Sequence, residues 1–367
     1  MTDDALRAGA LQVDEDGTVH VPAHLLPLSA ALSDHTRATM AAALHRTPRM
    51  GIPRAEHFTS EAEFTAAVDA FRVNVDMGYA RPMSERLAEA FPVRMSHGRI
   101  GGVPVEEFAP LDGMDNERVL INLHGGAFCS GATYVGRIES IPMANLGKFR
   151  VVSVDYRQGY EHKYPAASED IAAVYAALLK TYAPGRIGIY GGSAGGVLTA
   201  QATAWILEHG LPAPGAIGIF GAGSGGYGDS DYFAAIGMGQ MPPLGLLGSR
   251  AGASVGYFSH ASDDDPLVNP NIAPASFRAR FPPALLMTGT RAFDMSPAIA
   301  THRALVQAGV DASLHVFDGV GHCFYYDASA PEGADAYQTI VRFFWKRLKT
   351  QKRLPFKGEE ATTCLIV

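Results

Sequence analysis

Cysteine is scarce in this chain, with only 3 among 367 residues, at Cys129, Cys323 and Cys364. So small and odd a set does not make a disulfide framework, and nothing in it requires an oxidising compartment. Long apolar runs are also lacking, because no stretch approaches the ~18 consecutive apolar residues of a membrane span. The start, Met-Thr-Asp-Asp, is acidic where a signal peptide would be basic. We therefore expect a cytoplasmic protein without a membrane span.

An excess of positive charge is lacking as well. Lys and Arg number 30 against 37 Asp and Glu, which gives a formal net charge of −7. A net negative charge of this size does not favour binding to nucleic acid, and it gives little attraction to an anionic membrane. Hydrophobic residues make up 47% of the chain and charged residues 18%, a composition that excludes a disordered chain. The expected partner is a small molecule, and a second copy of the chain, as a homodimer, is a further candidate.

Patterns for metals and dinucleotides are missing or incomplete. The chain contains neither H-E-x-x-H nor C-x-x-C, so a metal site has no support. Residues 221–226 match G-x-G-x-x-G, but a dinucleotide site needs a helix next and an acidic residue about 20 positions on. The following residues are Tyr-Gly-Asp-Ser-Asp, and the required distance falls at Pro242-Pro243. We expect no cofactor and no metal.

Helical patterns dominate the first 90 residues. They predict three helices, over residues 33–46, 60–77 and 83–91. Ser33 or Asp34 can cap the first helix, and Ser60 with Glu63 forms a capping box for the second. Apolar residues of the second helix share one face, namely Phe64, Ala67, Val68, Phe71 and Val75. We expect residues 1–91 to act as a helical cap on the remainder of the chain.

Strand-like runs follow from residue 93 on, and from residue 118 most gaps between them contain helical stretches. The strands are predicted over 93–100, 103–109, 118–123, 150–155, 187–190, 215–220, 284–289 and 313–317, and helices over 166–180, 197–208, 296–308 and 333–349. This alternation predicts an α/β class, with a mostly parallel central sheet and helices on both faces. The domain should span 92–349, with a Gly-rich insertion at about 223–262 as part of the cap and a tail over 350–367.

A serine stands in a glycine-rich turn between a predicted strand and a helical stretch. The segment reads Gly191-Gly192-Ser193-Ala194-Gly195-Gly196. Gly-x-Ser-x-Gly in that context is the nucleophile-elbow pattern, whose tight turn forces the serine out at the carboxyl end of the strand. The helix N-terminus then faces any negative charge that develops nearby. A structural serine in a glycine-rich turn is the alternative for the pentapeptide taken alone.

A second glycine-rich loop comes directly after the strand predicted at 118–123. It reads His124-Gly125-Gly126-Ala127. This is the position of an oxyanion loop, where glycine lets backbone N–H groups approach a tetrahedral intermediate. Because the serine turn follows about 70 residues later, in the order that such enzymes use, the functional interpretation of both loops is favoured over a structural one.

A base and an acid can be assigned from chain order. In proteins with a Gly-x-Ser-x-Gly nucleophile elbow, the order along the chain is nucleophile, acid, base. His322 lies in a Gly-rich loop after the last predicted strand, and Asp294 follows the strand at 284–289, 28 residues earlier. Three other acids compete. Asp318 is too close to the base on the same loop, Asp155 precedes the serine, and Asp265 falls before the relevant strand.

These motifs resemble those of the hormone-sensitive-lipase-like branch of the α/β-hydrolases, the bacterial carboxylesterase and lipase group. The segment Asp-Tyr-Arg-Gln-Gly-Tyr-Glu-His-Lys-Tyr-Pro over 155–165, followed by Ala-Ala, is similar to the Asp-Tyr-Arg-Leu-Ala-Pro-Glu segment of that family. The Gly-x-x-His-x-Phe pattern around His322 also fits. The resemblance covers roughly residues 90–349 and implies an α/β-hydrolase fold with a cap of N-terminal helices.

The resemblance also implies a catalytic triad and an oxyanion hole. In the triad, Ser193 is the nucleophile, His322 the general base and Asp294 its orienting partner. Backbone N–H groups form the oxyanion hole, those of Gly125, Gly126 and Ala194. The implied activity is hydrolysis of short-to-medium-chain carboxylic esters through an acyl-enzyme. An acyltransferase, with an alcohol in place of water, and a non-catalytic ligand receptor on the same scaffold are the alternatives.

The sequence departs from the family pattern in three places. Ala127 replaces the third glycine of His-Gly-Gly-Gly, Gly192 stands where the family more often has Asp or Thr, and Asp294 lacks the common Asp-Pro-Leu context. None of these changes removes a catalytic group, but they leave the natural ester open. Five aromatic residues of the insertion favour an apolar acyl pocket, namely Tyr227, Tyr232, Phe233, Tyr257 and Phe258. The final Cys364-Leu-Ile-Val formally fits a prenylation motif, although a frayed tail is favoured.

Overall fold

The structure is a computed structural model, and it describes residues 12–16, 19–20, 27–44, 53, 57–225 and 256–348. Several sequence predictions concern residues outside these ranges. They are most of the insertion at 223–262, with Tyr227, Tyr232 and Phe233, and the tail at 350–367, with Cys364.

Ten strands occur among the described residues, and eight of them form one sheet. Their bounds are β1 Gln12–Val13, β2 Val19–His20, β3 Val93–Ile100, β4 Val103–Pro110, β5 Asp115–Leu123, β6 Phe149–Val154, β7 Ile187–Gly192, β8 Ala216–Phe220, β9 Ala284–Gly289 and β10 Ala312–Phe317. The large sheet has the order β10-β9-β8-β7-β5-β6-β4-β3. Neighbours from β10 to β6 run parallel, whereas β3 and β4 run antiparallel at one edge. The prediction of a mostly parallel α/β sheet is confirmed.

Nine α-helices are described. Their bounds are α1 Asp34–Leu44, α2 Glu61–Val73, α3 Arg81–Ala90, α4 Tyr134–Gly147, α5 Ala166–Leu178, α6 Ala194–Glu208, α7 Ala275–Arg278, α8 Met295–Gln307 and α9 Pro331–Arg347. One hydrophobic cluster joins α5 and α6 to one face of the sheet, and a second joins α3, α4 and α9 to the other. Helices therefore cover both faces, as parallel strands joined by crossovers require.

Burial along the sheet explains why the strands could be read from the sequence. Every residue of β7, β8 and β9 is buried, which matches their short and continuous apolar runs. The edge strand β3 is exposed along most of its length. The buried strands β7 and β9 and the neighbouring β10 run parallel, so their carboxyl ends meet at one edge of the sheet, where ligands of open α/β sheets bind.

The first two N-terminal helices begin within one residue of the predicted start, whereas the third begins at Arg81 and not at residue 83. Ser33 caps α1, because its Oγ accepts the N–H of Thr36 at 3.2 Å. At the start of α2, Ser60 Oγ accepts the N–H of Glu63 at 3.3 Å, while the Glu63 carboxylate accepts the N–H of Thr59 at 3.0 Å. The α2 helix buries Phe64, Val68 and Phe71 on one face.

Three local features differ from the sequence predictions. The second predicted helix ends as an α-helix at Val73, and a π-helical segment over Asn74–Ala80 joins it to α3. The hairpin of β1 and β2 was missed, because two residues per strand carry no periodicity. The α4 helix was not among the named helices; it contains Pro142, a residue that disfavours a helix interior.

Candidate active site

Ser193 lies between β7 and α6 with an unusual backbone conformation, φ 56° and ψ −124°. A non-glycine residue with positive φ is strained and is held there only by its surroundings. The turn is closely packed, because a Cβ at Gly191 or Gly195 would collide with the carbonyl oxygen of Leu123. The flanking glycines therefore allow the chain to turn sharply and leave Ser193 at the carboxyl end of β7.

The structure brings together the three residues that the resemblance pointed to. His322 Nε2 lies 2.9 Å from Ser193 Oγ, and His322 Nδ1 lies 2.6 Å from Asp294 Oδ1. Asp294 is fully buried at the start of α8, and His322 lies on the loop after β10. The result is a continuous hydrogen-bonded chain of carboxylate, imidazole and hydroxyl, the arrangement that activates a serine for nucleophilic attack.

Two further residues contact the acid and the base: Thr288 contacts Asp294, and Phe293 contacts His322. The sequence analysis had not identified either role. The buried Thr288 donates from Oγ1 to the second carboxylate oxygen of Asp294 at 2.6 Å. The Phe293 ring lies against the His322 imidazole, with 4.3 Å between the ring centroids. Thr288 lies in β9, six residues before Asp294, a spacing that no motif marks.

The competing acids have other partners. Asp318 accepts hydrogen bonds from Ser29 Oγ at 2.6 Å and Thr290 Oγ1 at 3.1 Å. These hydrogen bonds lower the pKa of Asp318. Asp265 accepts the N–H of Leu267 in a local turn. Asp155 follows β6 and not one of the strands that carry the acid and the base. Geometry thus pairs His322 with Asp294.

The charge preference of His322 results from opposing effects. Burial disfavours the imidazolium, whereas the Cys323 sulfur and the Asp294 carboxylate favour it and raise the pKa of His322 above its ordinary value. The Asp294 carboxylate thereby stabilises the imidazolium that forms when the neutral imidazole takes a proton from a hydroxyl.

The loop after β5 adopts a sequence of left-handed conformations beside Ser193. Gly126 has φ 122°, and Ala127 and Phe128 have φ 56° and 57°. A Cβ at Gly126 would collide with the carbonyl oxygen of Ser130, and one at Gly125 would lie 3.2 Å from the Ser193 Cβ. Backbone N–H groups of this loop can therefore approach an atom bound to Ser193 in a way that side chains would prevent.

The third candidate oxyanion donor, Ala194, is the first residue of α6. The first N–H groups of a helix have no partner within the helix, and the helix dipole makes them attractive to negative charge. The structure thus places Gly125 close to Ser193 in space, while Ala194 follows Ser193 directly in the chain.

His124, the first residue of the oxyanion loop, is held by contacts with Gly125 and Tyr156. It is fully buried, its Nδ1 lies 2.7 Å from the Gly125 carbonyl oxygen, and its ring stacks on Tyr156 at 4.2 Å. Tyr156 Oη donates to the His124 carbonyl oxygen at 2.7 Å. Burial lowers the pKa of His124 to about 4, so the imidazole is neutral at neutral pH.

The N-terminal helix α2 packs directly on the same loop. Its buried face, Phe64, Val68 and Phe71, forms a hydrophobic cluster with Ala127 and Cys129. Arg72 Nε donates to the Cys129 carbonyl oxygen at 2.7 Å. The Arg72 guanidinium also forms two hydrogen bonds with Glu161, at 2.7 and 2.8 Å. This pair joins residues 89 positions apart, and no sequence signal indicated it.

The segment over 155–165, which resembles the Asp-Tyr-Arg-Leu-Ala-Pro-Glu segment of the family, contacts the oxyanion loop. The N–H of Gly159 donates to the Phe128 carbonyl oxygen at 2.6 Å. Arg157 Nε lies 3.0 Å from both carboxylate oxygens of Asp170 on α5. Tyr257 and Phe258, the two described aromatics of the insertion, are buried against Phe128, with ring centroids 5.3 and 5.0 Å apart. These contacts brace the oxyanion loop in addition to those made by α2.

In the part of the chain that the structure describes, no group of three or more His, Cys, Asp and Glu residues could hold a metal ion. Among the same residues, no helix has the length and apolar character that a membrane crossing requires. The described cysteines, Cys129 and Cys323, are both free and buried.

Comparison with known proteins agrees with the geometry. The sequence pattern of the alpha/beta hydrolase fold matches residues 120–326. An esterase from Acinetobacter venetianus is 31% identical over 112 residues, which are 29% of this chain and 36% of that protein. An acetyl-hydrolase from Streptomyces hygroscopicus is 34% identical over 96 residues, or 26% of this chain and 32% of that protein. The matched segments span about a third of the length of these curated relatives.

Solved structures match over a much larger part of the chain. The esterase E25 is 28% identical, with a TM-score of 0.76 over 90% of this chain and 99% of its own. An esterase from the bacterial hormone-sensitive lipase family is 25% identical, with a TM-score of 0.64 over 80% of this chain and 100% of its own. The similarity to these solved structures thus extends over at least four fifths of the chain.

Proposed function

The chain belongs to the α/β-hydrolase family and is similar to esterases of the hormone-sensitive lipase group, and on this premise we propose that it is a serine carboxylesterase. The observation that carries the proposal is the hydrogen-bonded series from Asp294 through His322 to Ser193, with distances of 2.6 and 2.9 Å. A receptor on the same scaffold would have no need of that series. The proposal therefore assigns nucleophile, base and acid to these three residues.

In the proposed mechanism, His322 accepts the Ser193 proton as the hydroxyl oxygen attacks the ester carbonyl carbon. The N–H groups of Gly125, Gly126 and Ala194 stabilise the oxyanion that forms. His322 then donates the proton to the leaving alcohol, which leaves an acyl group on Ser193. Water, deprotonated by the same imidazole, hydrolyses the acyl-enzyme and restores the hydroxyl. Asp294 keeps the Nδ1 proton of His322 in place throughout.

Short-to-medium-chain esters are the proposed substrates. One relative bears the name acetyl-hydrolase, and Phe128, Tyr257 and Phe258 form an apolar cluster beside the oxyanion loop. We propose further that residues 1–91 form a cap on this site. Support comes from the contacts of α2, which packs Phe64, Val68 and Phe71 on Ala127 and Cys129. A cap in this place would exclude water and shape the acyl pocket.

Replacement of the nucleophile tests the proposal. Ser193→Ala should keep the fold and lower hydrolysis of p-nitrophenyl acetate by several orders of magnitude, because the members of a triad act as a unit. Ser96→Ala, on the exposed edge strand β3, is the matched control and should hydrolyse the ester like the unmodified chain. Turnover of the ester by Ser193→Ala at the unmodified rate would refute the assignment.

Two further measurements define the reaction. A small organophosphate should label the peptide that contains Ser193 in the unmodified chain and leave Ser193→Ala unlabelled, as shown by mass spectrometry. A series of p-nitrophenyl esters of increasing chain length, with and without an added alcohol, separates hydrolysis from acyl transfer. Ester product in place of free acid would identify an acyltransferase. No turnover of any ester would favour the ligand receptor.

A further inference from the structure

A buried carboxylate that the proposed mechanism does not use lies beside the nucleophile. Glu139, on α4, is fully buried. A charged group in the interior requires hydrogen bonds to replace its water. Tyr326 Oη donates to Oε1 at 2.7 Å, and Asn122 Nδ2 donates to Oε2 at 2.7 Å. The backbone N–H of Gly192 is a further donor to the same carboxylate. These three partners are all neutral donors.

Each donor belongs to a segment that carries one part of the proposed machinery. Asn122 lies near the end of β5, two residues before His124, the first residue of the oxyanion loop. Gly192 directly precedes Ser193. Tyr326 follows His322 by four positions on the same loop. One carboxylate thus receives hydrogen bonds from the oxyanion loop strand, the nucleophile strand and the base-bearing loop.

The close fit around Gly192 shows how tightly these segments are packed together. A Cβ at Gly192 would lie 2.6 Å from Glu139 Oε1 and 3.1 Å from Tyr326 Oη. A Cβ at Gly125 would lie 2.8 Å from the same Tyr326 hydroxyl. Tyr326 Oη therefore sits between the backbones of the oxyanion loop and the nucleophile turn. This fit also gives a physical reason for the glycine before the nucleophile, one of the positions at which the sequence departs from the family pattern.

We propose that Glu139 is a positioning residue, whose carboxylate holds the nucleophile turn, the oxyanion loop and the base-bearing loop in register. The inference rests on the proposed function, because it assigns Glu139 a role in placing Ser193 and His322. An amide in the same place would offer a single acceptor oxygen and would point an N–H₂ group at one of the donors, so at least one segment would lose its anchor.

The balance of effects on Glu139 agrees with such a role. Burial raises its pKa to about 7, while the hydrogen bonds from Tyr326, Asn122 and the Gly192 N–H act in the opposite direction. The titratable groups that face it are the hydroxyls of Tyr190, Tyr325, Tyr326 and Tyr337 and the thiol of Cys323. The donors keep an ionised form accessible near neutral pH.

The test compares two buried carboxylates. Glu139→Gln should lower kcat for p-nitrophenyl acetate by about 10²-fold with KM nearly unchanged, because a small misplacement of catalytic groups has effects of that size. Glu106→Gln is the matched control, since Glu106 is also buried and pairs with Arg137 of the same helix α4. It should leave kcat unchanged. Tyr326→Phe removes one donor and should lower kcat by about tenfold, the effect of one hydrogen bond.

Several outcomes would overturn the inference. A kcat of Glu139→Gln equal to that of the unmodified chain would do so, as would an equal loss in Glu106→Gln, since the effect would then be general destabilisation. If Glu139→Gln fails to fold, Tyr326→Phe decides, because an unchanged kcat in that variant contradicts the role. Ser193→Ala is assayed in parallel. Activity in Ser193→Ala refutes the proposed function, whereas loss in Ser193→Ala with full activity in Glu139→Gln refutes only the role of Glu139.

Discussion

The nucleophile side and the acid–base side of the candidate site are held by different kinds of contact. Around Ser193 the contacts are between backbones, since a Cβ at Gly191 or Gly195 would meet the Leu123 carbonyl oxygen. Around His322 they are between side chains, through Asp294 and Thr288. The nucleophile side depends on glycines that have no Cβ, and the acid–base side depends on polar side-chain atoms that form hydrogen bonds. An added methyl group should therefore damage the first side, and a lost hydrogen-bond partner the second.

The acid gives the largest expected effect. Asp294→Asn should lower kcat by about 10⁴-fold, because the amide holds the base in the wrong tautomer. Asp318→Asn is the matched control, because Asp318 is the other acid near His322. Its kcat should fall far less, since Asp318 accepts hydrogen bonds from Ser29 and Thr290 and not from His322. Both variants are assayed on one p-nitrophenyl ester. A greater loss in Asp318→Asn would show that the acid has been misassigned.

An added methyl group in the oxyanion loop should have the next largest effect. Gly126→Ala should lower kcat by about 10²- to 10³-fold, the cost of losing one oxyanion donor, because the new Cβ would collide with the Ser130 carbonyl oxygen. Gly210→Ala is the control, since Gly210 also has positive φ but open space around it. The control should lose stability without loss of kcat. Equal activity in the two variants would contradict the backbone-contact account of this side.

A lost polar atom beside the acid should have a smaller effect. Thr288→Val keeps the shape of the side chain but removes the hydrogen bond to Asp294 Oδ2, and we expect kcat to fall by about tenfold. Thr203→Val removes a buried hydroxyl that bonds only within α6 and serves as the control. A Thr288→Val variant with unchanged kcat would indicate that Asp294 needs no second anchor.

The N-terminal segment should have the smallest effect on the reaction itself. Ser29 Oγ bonds Asp318, and Ser33 Oγ bonds Glu332 at 2.8 Å, so this segment contacts the region after β10. Deletion of residues 1–45 should change the ratio of kcat/KM between acetate and longer esters by a few-fold, if the segment is part of the cap. Ser193 should still react with an organophosphate. Deletion of the tail at 350–367 is the control, and an unchanged ratio in the first deletion would contradict a role in the acyl pocket.

The strands and the three catalytic candidates were accessible from the sequence for physical reasons. Buried parallel strands are short apolar runs, and all eight predicted strands of the sheet are present with ends shifted by at most three residues. The serine turn and the oxyanion loop require glycine at fixed positions because backbones touch there, and that requirement is local in sequence. Asp294 and His322 follow from chain order along the same sheet edge.

The supporting contacts could not be predicted, because they join residues that are distant in sequence. Arg72 and Glu161 are 89 positions apart, and Glu139 and Tyr326 are 187 apart. No periodicity or short motif marks such pairs. The α4 helix was missed for a local reason, since Pro142 disfavours a helix interior, and the burial of most of its residues against the sheet outweighs that preference.

Two buried groups near the nucleophile have opposite effects on how folding responds to protons. Burial lowers the pKa of His124 from 6.5 to about 4, and it raises the pKa of Glu139 from 4.5 to about 7. Between pH 4.5 and 6.5, the unfolded chain binds the proton of His124 more readily, so that residue makes the free energy of unfolding increase with pH. The folded chain keeps the proton of Glu139, which makes the free energy decrease with pH. Each slope is about 1.4 kcal/mol per pH unit. The two contributions therefore oppose each other, so burial of this pair makes the free energy of unfolding less dependent on pH than burial of either group alone would.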